Sequence, residues 1–182
     1  MTKTVAVIIG SLREDSINRK LTRALEKLAE GKLSFVELNI GALPHYNEDL
    51  WETVPAEVSD LKAKVEAADA VLAVTPEYNR SFPGVIKNAL DWASRPYGKN
   101  SWSGKPAAVT GTSPGVIGAA VAQGHLKAEM LNQNMVVMHQ PEAYIHWKAD
   151  AFADDGSITD EGIRKFLQAY VDAFAAFIEK HG

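Results

Sequence analysis

Two runs of five consecutive apolar residues, VAVII at 5–9 and AVLAV at 70–74, constrain this chain most. Each is too short for a helix of ordinary length, and neither shows the polar alternation of a strand with one wet face. A strand buried on both faces needs helices above and below it, as parallel strands joined by crossovers have. The remaining sequence supplies them. Residues 16–30 carry Ile17, Leu21, Ala24, Leu25 and Leu28 at spacings of three and four, and Gly31 closes the pattern. Similar helical spacing runs through 55–68, 85–93 and 118–131, and through 160–180 with Thr159 as the expected N-cap. Shorter strand patterns lie at 34–38, 105–110 and 135–138. Five strands alternating with helices predict an α/β, doubly wound parallel sheet, with a ligand at the strand carboxyl ends where the strand order reverses. Residues 139–157 have weak periodicity and are expected to form a structured arm or part of an interface.

Composition narrows the chemistry. At 182 residues the chain is expected to form one domain, burying about 70% of its unfolded surface without staples. Nineteen basic against twenty-three acidic residues leave a formal charge of −4 with no evident basic face, which disfavours nucleic-acid binding. Cysteine is absent, so disulfides, thiolate metal sites and catalytic thiols are excluded, and redox chemistry needs a bound cofactor. His125, His139 and His146 lack a compact ligand spacing, and no metal is expected. The N-terminal apolar run is too short for a signal peptide, and no apolar segment reaches about 18 residues. A cytoplasmic protein without a membrane partner is expected.

Three polar loops should share the carboxyl edge. In GSLREDSIN, Ser11, Arg13, Ser16 and Asn18 surround the start of a helix, whose free N–H groups and dipole suit an anion. The alternative is that Ser16 simply caps the helix and Arg13 is a solvated charge. Neither G-x-G-x-x-G nor a Walker lysine is present, so a dinucleotide fingerprint or NTPase loop is not indicated. TPEYNRSFPG offers Pro76, which cannot continue a central strand, the ring of Tyr78 and the amide of Asn79. A planar heterocycle would suit it; the plainer reading is a helix-entry loop with Tyr78 and Phe82 packed on the surface. TGTSPGVIGAA is glycine-rich and permits close approach to the backbone.

GSLRxxSxN, PEYNxSxPGxxKNALDW and the glycine-rich loop, in this order, resemble the NAD(P)H-dependent FMN reductase family of flavodoxin-like quinone, chromate, azo-dye and ferric reductases. The resemblance spans essentially the whole chain and implies a flavodoxin-like sheet of order 2-1-3-4-5 with one FMN per subunit. It implies that Ser11, Arg13, Ser16, Ile17 and Asn18 hold the phosphate. Pro76, Glu77, Tyr78 and Asn79 would line the isoalloxazine, with Arg80 at a variable position beside them, and Ser113 with Gly115 would border the other edge. NADH or NADPH would be the donor, and small molecules such as quinones, chromate, ferric chelates or nitro and azo compounds the acceptors.

The resemblance also implies a homodimer, often paired into a tetramer. In ALDWASRPYG and just beyond it, Trp92, Tyr97 and Trp102 are then expected as aromatic interface anchors, the alternative being that Trp92 belongs to its own core. Arg95 would project towards a flavin or an anionic acceptor across the interface. A non-enzymatic electron carrier of the flavodoxin type competes with this reading, but it would want a more acidic surface than −4 provides. A binding protein that has lost the flavin would not need all three loops. Asp91 is expected to be a structural hydrogen-bonding group.

Overall fold

The computed structural model describes residues 2–182. Its central sheet is parallel, in the order β2-β1-β3-β4-β5, from β1 (Lys3–Ile9), β2 (Leu33–Glu37), β3 (Ala70–Val74), β4 (Pro106–Ser113) and β5 (Val136–Val137). The apolar strands divide their side chains between two cores, as the period of two requires. Ala6 and Ile8 point one way, among α2 (Ala56–Ala67), α3 (Gly84–Ala93) and α4 (Ala120–Asn132). Val5, Val7 and Ile9 point the other way, among α1 (Ile17–Leu28) and α5 (Glu161–His181). Both faces are thus covered, which explains why β1 and β3 carry no polar residue in their buried spans.

The strands depart from the sequence pattern where its periodicity is weakest. The fifth strand position is split: β5 pairs with the start of β4, and β6 (Tyr144–His146) pairs in parallel with its end, Gly111–Ser113. Within 139–157, Tyr144–His146 therefore continues the sheet edge and does not form an arm. Strand β4 also runs three residues further than its apolar pattern, absorbing Gly111, Thr112 and Ser113. Thr110 and Thr112 are buried there because their hydroxyls donate to the carbonyls of Ala143 and Ile145, at 3.0 and 2.7 Å. The N-cap of α5 is Asp160, whose Oδ1 accepts from the Ile163 amide at 2.9 Å, and not Thr159, whose hydroxyl donates to the Asp150 carbonyl.

Trp92 and Trp102 are fully buried and cannot anchor an interface. Trp92 Nε1 donates to the Pro44 carbonyl at 2.8 Å, and its ring meets Tyr46 and Trp51 edge-on, with centroids 4.9 and 5.4 Å away. Trp102 Nε1 donates to the Leu90 carbonyl at 3.0 Å. Tyr97 is the exposed member of the three, at 94%.

Candidate functional site

Strands β1 and β3 are neighbours, yet the chain leaves them in opposite directions, towards β2 and towards β4. Their carboxyl ends therefore flank a crevice, and the loops after β1, β3 and β4 open beside it. Close backbone approach shapes its floor. A Cβ on Gly111 would stand 1.9 Å from the Thr75 carbonyl oxygen, so only glycine lets β4 pass the point where the chain turns out of β3. Gly118, at φ +57°, lies so near β6 that a Cβ would fall 2.6 Å from the Ile145 nitrogen.

The first loop ends in α1, where Ser16 caps the helix by accepting from the Arg19 amide at 3.2 Å. The amides of Arg13, Glu14, Asp15, Ile17 and Asn18 find no acceptor among the described residues. Those of Ile17 and Asn18 are free N–H groups of the helix entrance, where the dipole carries about half a positive charge, and residues 13–15 add loop amides just before the cap. Ser11 and Ser16 are nearly buried beside them, and Arg13 is exposed. Arg19, by contrast, is committed to Glu37 at 2.6 Å.

Asn18 behaves differently from its neighbours. Its side chain is buried, donating from Nδ2 to the Thr112 carbonyl at 3.1 Å and accepting at Oδ1 from the Thr112 amide at 3.0 Å. Strand β3 last pairs with β4 at Val74 and Thr110, so Asn18 occupies the edge of β4 that β3 has left. Its side chain thus fixes α1 to the sheet, leaving its backbone amide for a ligand.

The second loop is a tight hairpin in which Tyr78 and Ser81 exchange both backbone hydrogen bonds, at 2.9 and 3.0 Å. Asn79 and Arg80 occupy its corner at φ 51° and 63°, the two left-handed positions of a type I′ turn. Before it, Thr75 and Pro76 are buried, and Tyr78 is half exposed. The Glu77 carboxylate reaches the entrance of α4: Oε2 accepts from the Val121 and Ala122 amides, both at 3.1 Å, and Oε1 from Arg80 at 3.1 Å. In the third loop Ser113 Oγ donates to the Gly115 carbonyl at 3.2 Å, and Val116 and Ile117 are exposed.

Arg95 is not brought to these loops. It follows the far end of α3, a ten-residue helix about 15 Å long, and borders a polar cleft with Lys87, Asp91, Tyr97 and Glu129. The segment is held by Lys62, whose Nζ donates to the carbonyls of Ala93 and Lys99 and to Ser101 Oγ, at 3.1, 2.8 and 2.7 Å. Desolvation lowers the pKa of that amine; Glu66 nearby opposes the shift and Lys99 adds to it. Asp91 pairs with Lys87, in keeping with a structural role.

Sequence reasoning missed Asn88 and Gln123. Asn88, one helical turn before Trp92, accepts from the Tyr46 amide and donates to the Pro44 carbonyl, tying the segment after β2 to α3. An asparagine and a tryptophan at i and i+4 on an otherwise apolar face were the available signal. Gln123 is fully buried and bridges the carbonyls of Gly118 and Ala143. Nothing local in the sequence marks it.

A parallel sheet of this order, with a helix entrance of free amides at its switch point, defines a flavodoxin-like fold with a ligand crevice. The chain belongs to the NADPH-dependent FMN reductase family, whose profile matches residues 3–150. It is 47% identical to a 2-hydroxy-1,4-benzoquinone reductase of Burkholderia sp, over 98% of this chain and 97% of that protein. A quinone reductase of Pseudomonas putida is also 47% identical, over 97% and 95% of the two chains. Among solved structures, FerB, a flavoenzyme NAD(P)H:(acceptor) oxidoreductase from Paracoccus denitrificans, matches with a TM-score of 0.99 and 65% identity over the whole of both chains. The protein is accordingly an FMN-dependent oxidoreductase with NAD(P)H as electron donor.

The residues present fit that cofactor. Five free amides, two hydroxyls and one exposed guanidinium suit a phosphate, and the two loops beyond them present backbone and one aromatic ring to a flat heterocycle. When bound, FMN supplies the hydride chemistry.

Proposed function

We propose that the protein reduces quinones with NADH or NADPH as donor, donor and acceptor using in turn one open face above the crevice between the second and third loops. The free amides before and at the entrance of α1 carry this reading, since they would hold the FMN phosphate beside the switch point. Arg13 and the amides of residues 13–18 would bind the phosphate, with the hydroxyls of Ser11 and Ser16 adding donors. Thr75, Pro76 and Tyr78 would face the ring on one side, and Ser113 and Gly115 on the other. The apolar side chains of Val116 and Ile117, exposed on the third loop, suit a neutral aromatic acceptor. The names of the similar reductases support quinones ahead of chromate or ferric chelates.

A homodimer completes the reading. Arg95 lies a helix length from its own crevice, so it would contribute to catalysis only in a partner's site, with Tyr97 as the exposed aromatic at that contact. No helix among the described residues is long and apolar enough to cross a membrane. A cytoplasmic setting, where nicotinamide donors are supplied, fits this chemistry.

Titration of the apoprotein with FMN and with riboflavin tests the phosphate site. FMN should bind far more tightly, and Arg13→Ala should weaken FMN alone. The loss of a charge-assisted contact of about 1.5–3 kcal/mol corresponds to roughly ten- to hundredfold. Equal affinities for the two flavins would refute the assignment.

A further inference from the structure

We propose that Glu77 is a positioning residue that latches the hairpin after β3 to the entrance of α4 and so fixes the separation of the two loops on either side of the flavin. The inference rests on the reading that FMN sits between those loops. Helix α4 cannot cap itself: its N-cap position is Ala119, in the left-handed region at φ 61°, with no side-chain oxygen. The acceptor comes instead from another loop. Glu77 Oε2 takes both the Val121 and Ala122 amides at 3.1 Å, while Oε1 takes the Arg80 guanidinium at 3.1 Å. The carboxylate side chain is 8% exposed and that of Arg80 is 72% exposed, so the buried end of this arrangement is the one facing the helix. Three donors and the positive end of a helix compensate the buried charge.

Both partners of the latch are stiff. Glu77 lies between Pro76, with its fixed φ, and the tight hairpin that opens at Tyr78. On the other side, α4 follows directly on residues 113–119, which are wedged at Gly118 against β6. A second link, His125 Nδ1 to Ser81 Oγ at 3.4 Å, lies one turn along the same helix. A displacement at Glu77 is therefore passed to Tyr78 on one side and to the Ser113–Gly118 loop on the other. A carboxylate serving only as a helix cap would not need to come from the chain segment that also carries the ring-facing tyrosine.

The test compares FMN-reconstituted wild type with Glu77→Ala and Glu77→Gln. Three readouts are taken: hydrogen exchange of the Val121 and Ala122 amides, visible circular dichroism of the bound flavin, and KM for NADH against kcat. In Glu77→Ala, exchange at the two amides should accelerate about tenfold or more. The flavin dichroism should lose amplitude, and KM should rise more than kcat falls. Glu77→Gln keeps an oxygen acceptor without the charge and should be intermediate in all three; it also carries the test if the alanine variant does not fold. Faster exchange with unchanged dichroism and KM would reduce Glu77 to a helix cap and overturn the proposal, as would unchanged exchange. Failure of the wild-type apoprotein to take up FMN would overturn the site reading, and with it the positioning role, while exchange in the apoprotein would still report on the latch.

Discussion

Replacing Asn18 by alanine removes both hydrogen bonds that close the open edge of β4 and leaves the buried Thr112 amide and carbonyl without partners. Each unsatisfied buried backbone group costs about 1–3 kcal/mol. Two such groups, partly relieved by local shifts, give a loss of about 3 kcal/mol. With an unfolding entropy of about 2.1 cal/mol/K per residue over 182 residues, the apoprotein Tm should fall by roughly 8 °C. The measurement belongs on the apoprotein, because bound FMN adds its own stabilisation by mass action and would mask part of the change. Asn18→Asp separates the two bonds: its carboxylate still accepts from the Thr112 amide but faces the Thr112 carbonyl with a second negative oxygen. It should be destabilised at neutral pH and recover as acidification restores a donor. Urea unfolding that shows a loss below about 1 kcal/mol for Asn18→Ala would refute the view that this side chain substitutes for the missing strand.

Two further outcomes are expected. Steady-state rates at several fixed quinone concentrations should give parallel double-reciprocal lines, because one face serves donor and acceptor in turn; intersecting lines would require a second pocket. Burial first and the Glu142 carboxylate second push the Tyr144 phenol up to about 12, so its contribution to stability is present below the ordinary value of 10.0 and is lost as pH rises through about 12. Glu142→Gln should bring that titration part of the way back in ultraviolet difference spectra, with Tyr144→Phe identifying the signal; an unmoved titration would remove Glu142 as a cause.

The parallel sheet was legible because β1 and β3 are apolar on both faces, a pattern that few other environments tolerate. The end of β4 was not, because Thr110, Gly111 and Thr112 satisfy the strand through hydroxyl bonds and a close backbone pass that leave no hydrophobic period. The fifth strand was half legible, since its two pieces of two and three residues are separated by six others. Trp92 stayed ambiguous for a related reason: a large ring near a helix end reads equally as an anchor or as core, and the carbonyl of Pro44 that takes its N–H comes from a distant segment. The start of α1 was legible from Ser16 and the apolar period that follows it, whereas the direction in which Glu77 points depends on α4, 44 residues away.

The three loop motifs invite the reading that each polar side chain in them touches the cofactor, and the geometry argues for a different division of labour. Asn18 commits its whole amide to Thr112, and Glu77 commits both oxygens to α4 and Arg80. Asn79 and Arg80 serve the hairpin by adopting left-handed backbone that most residues resist. On the proposed reading, what these side chains secure is the direction of main-chain N–H groups, such as those of residues 13–15, 17 and 18, that find no acceptor among the described residues. Recognition by main chain requires the scaffold to be rigid, since a backbone donor cannot adjust by changing rotamer. Substitutions at Asn18 and Glu77 should therefore act on cofactor geometry through the positions of other residues, whereas Arg13, exposed and bound to no scaffold element, should act on affinity directly.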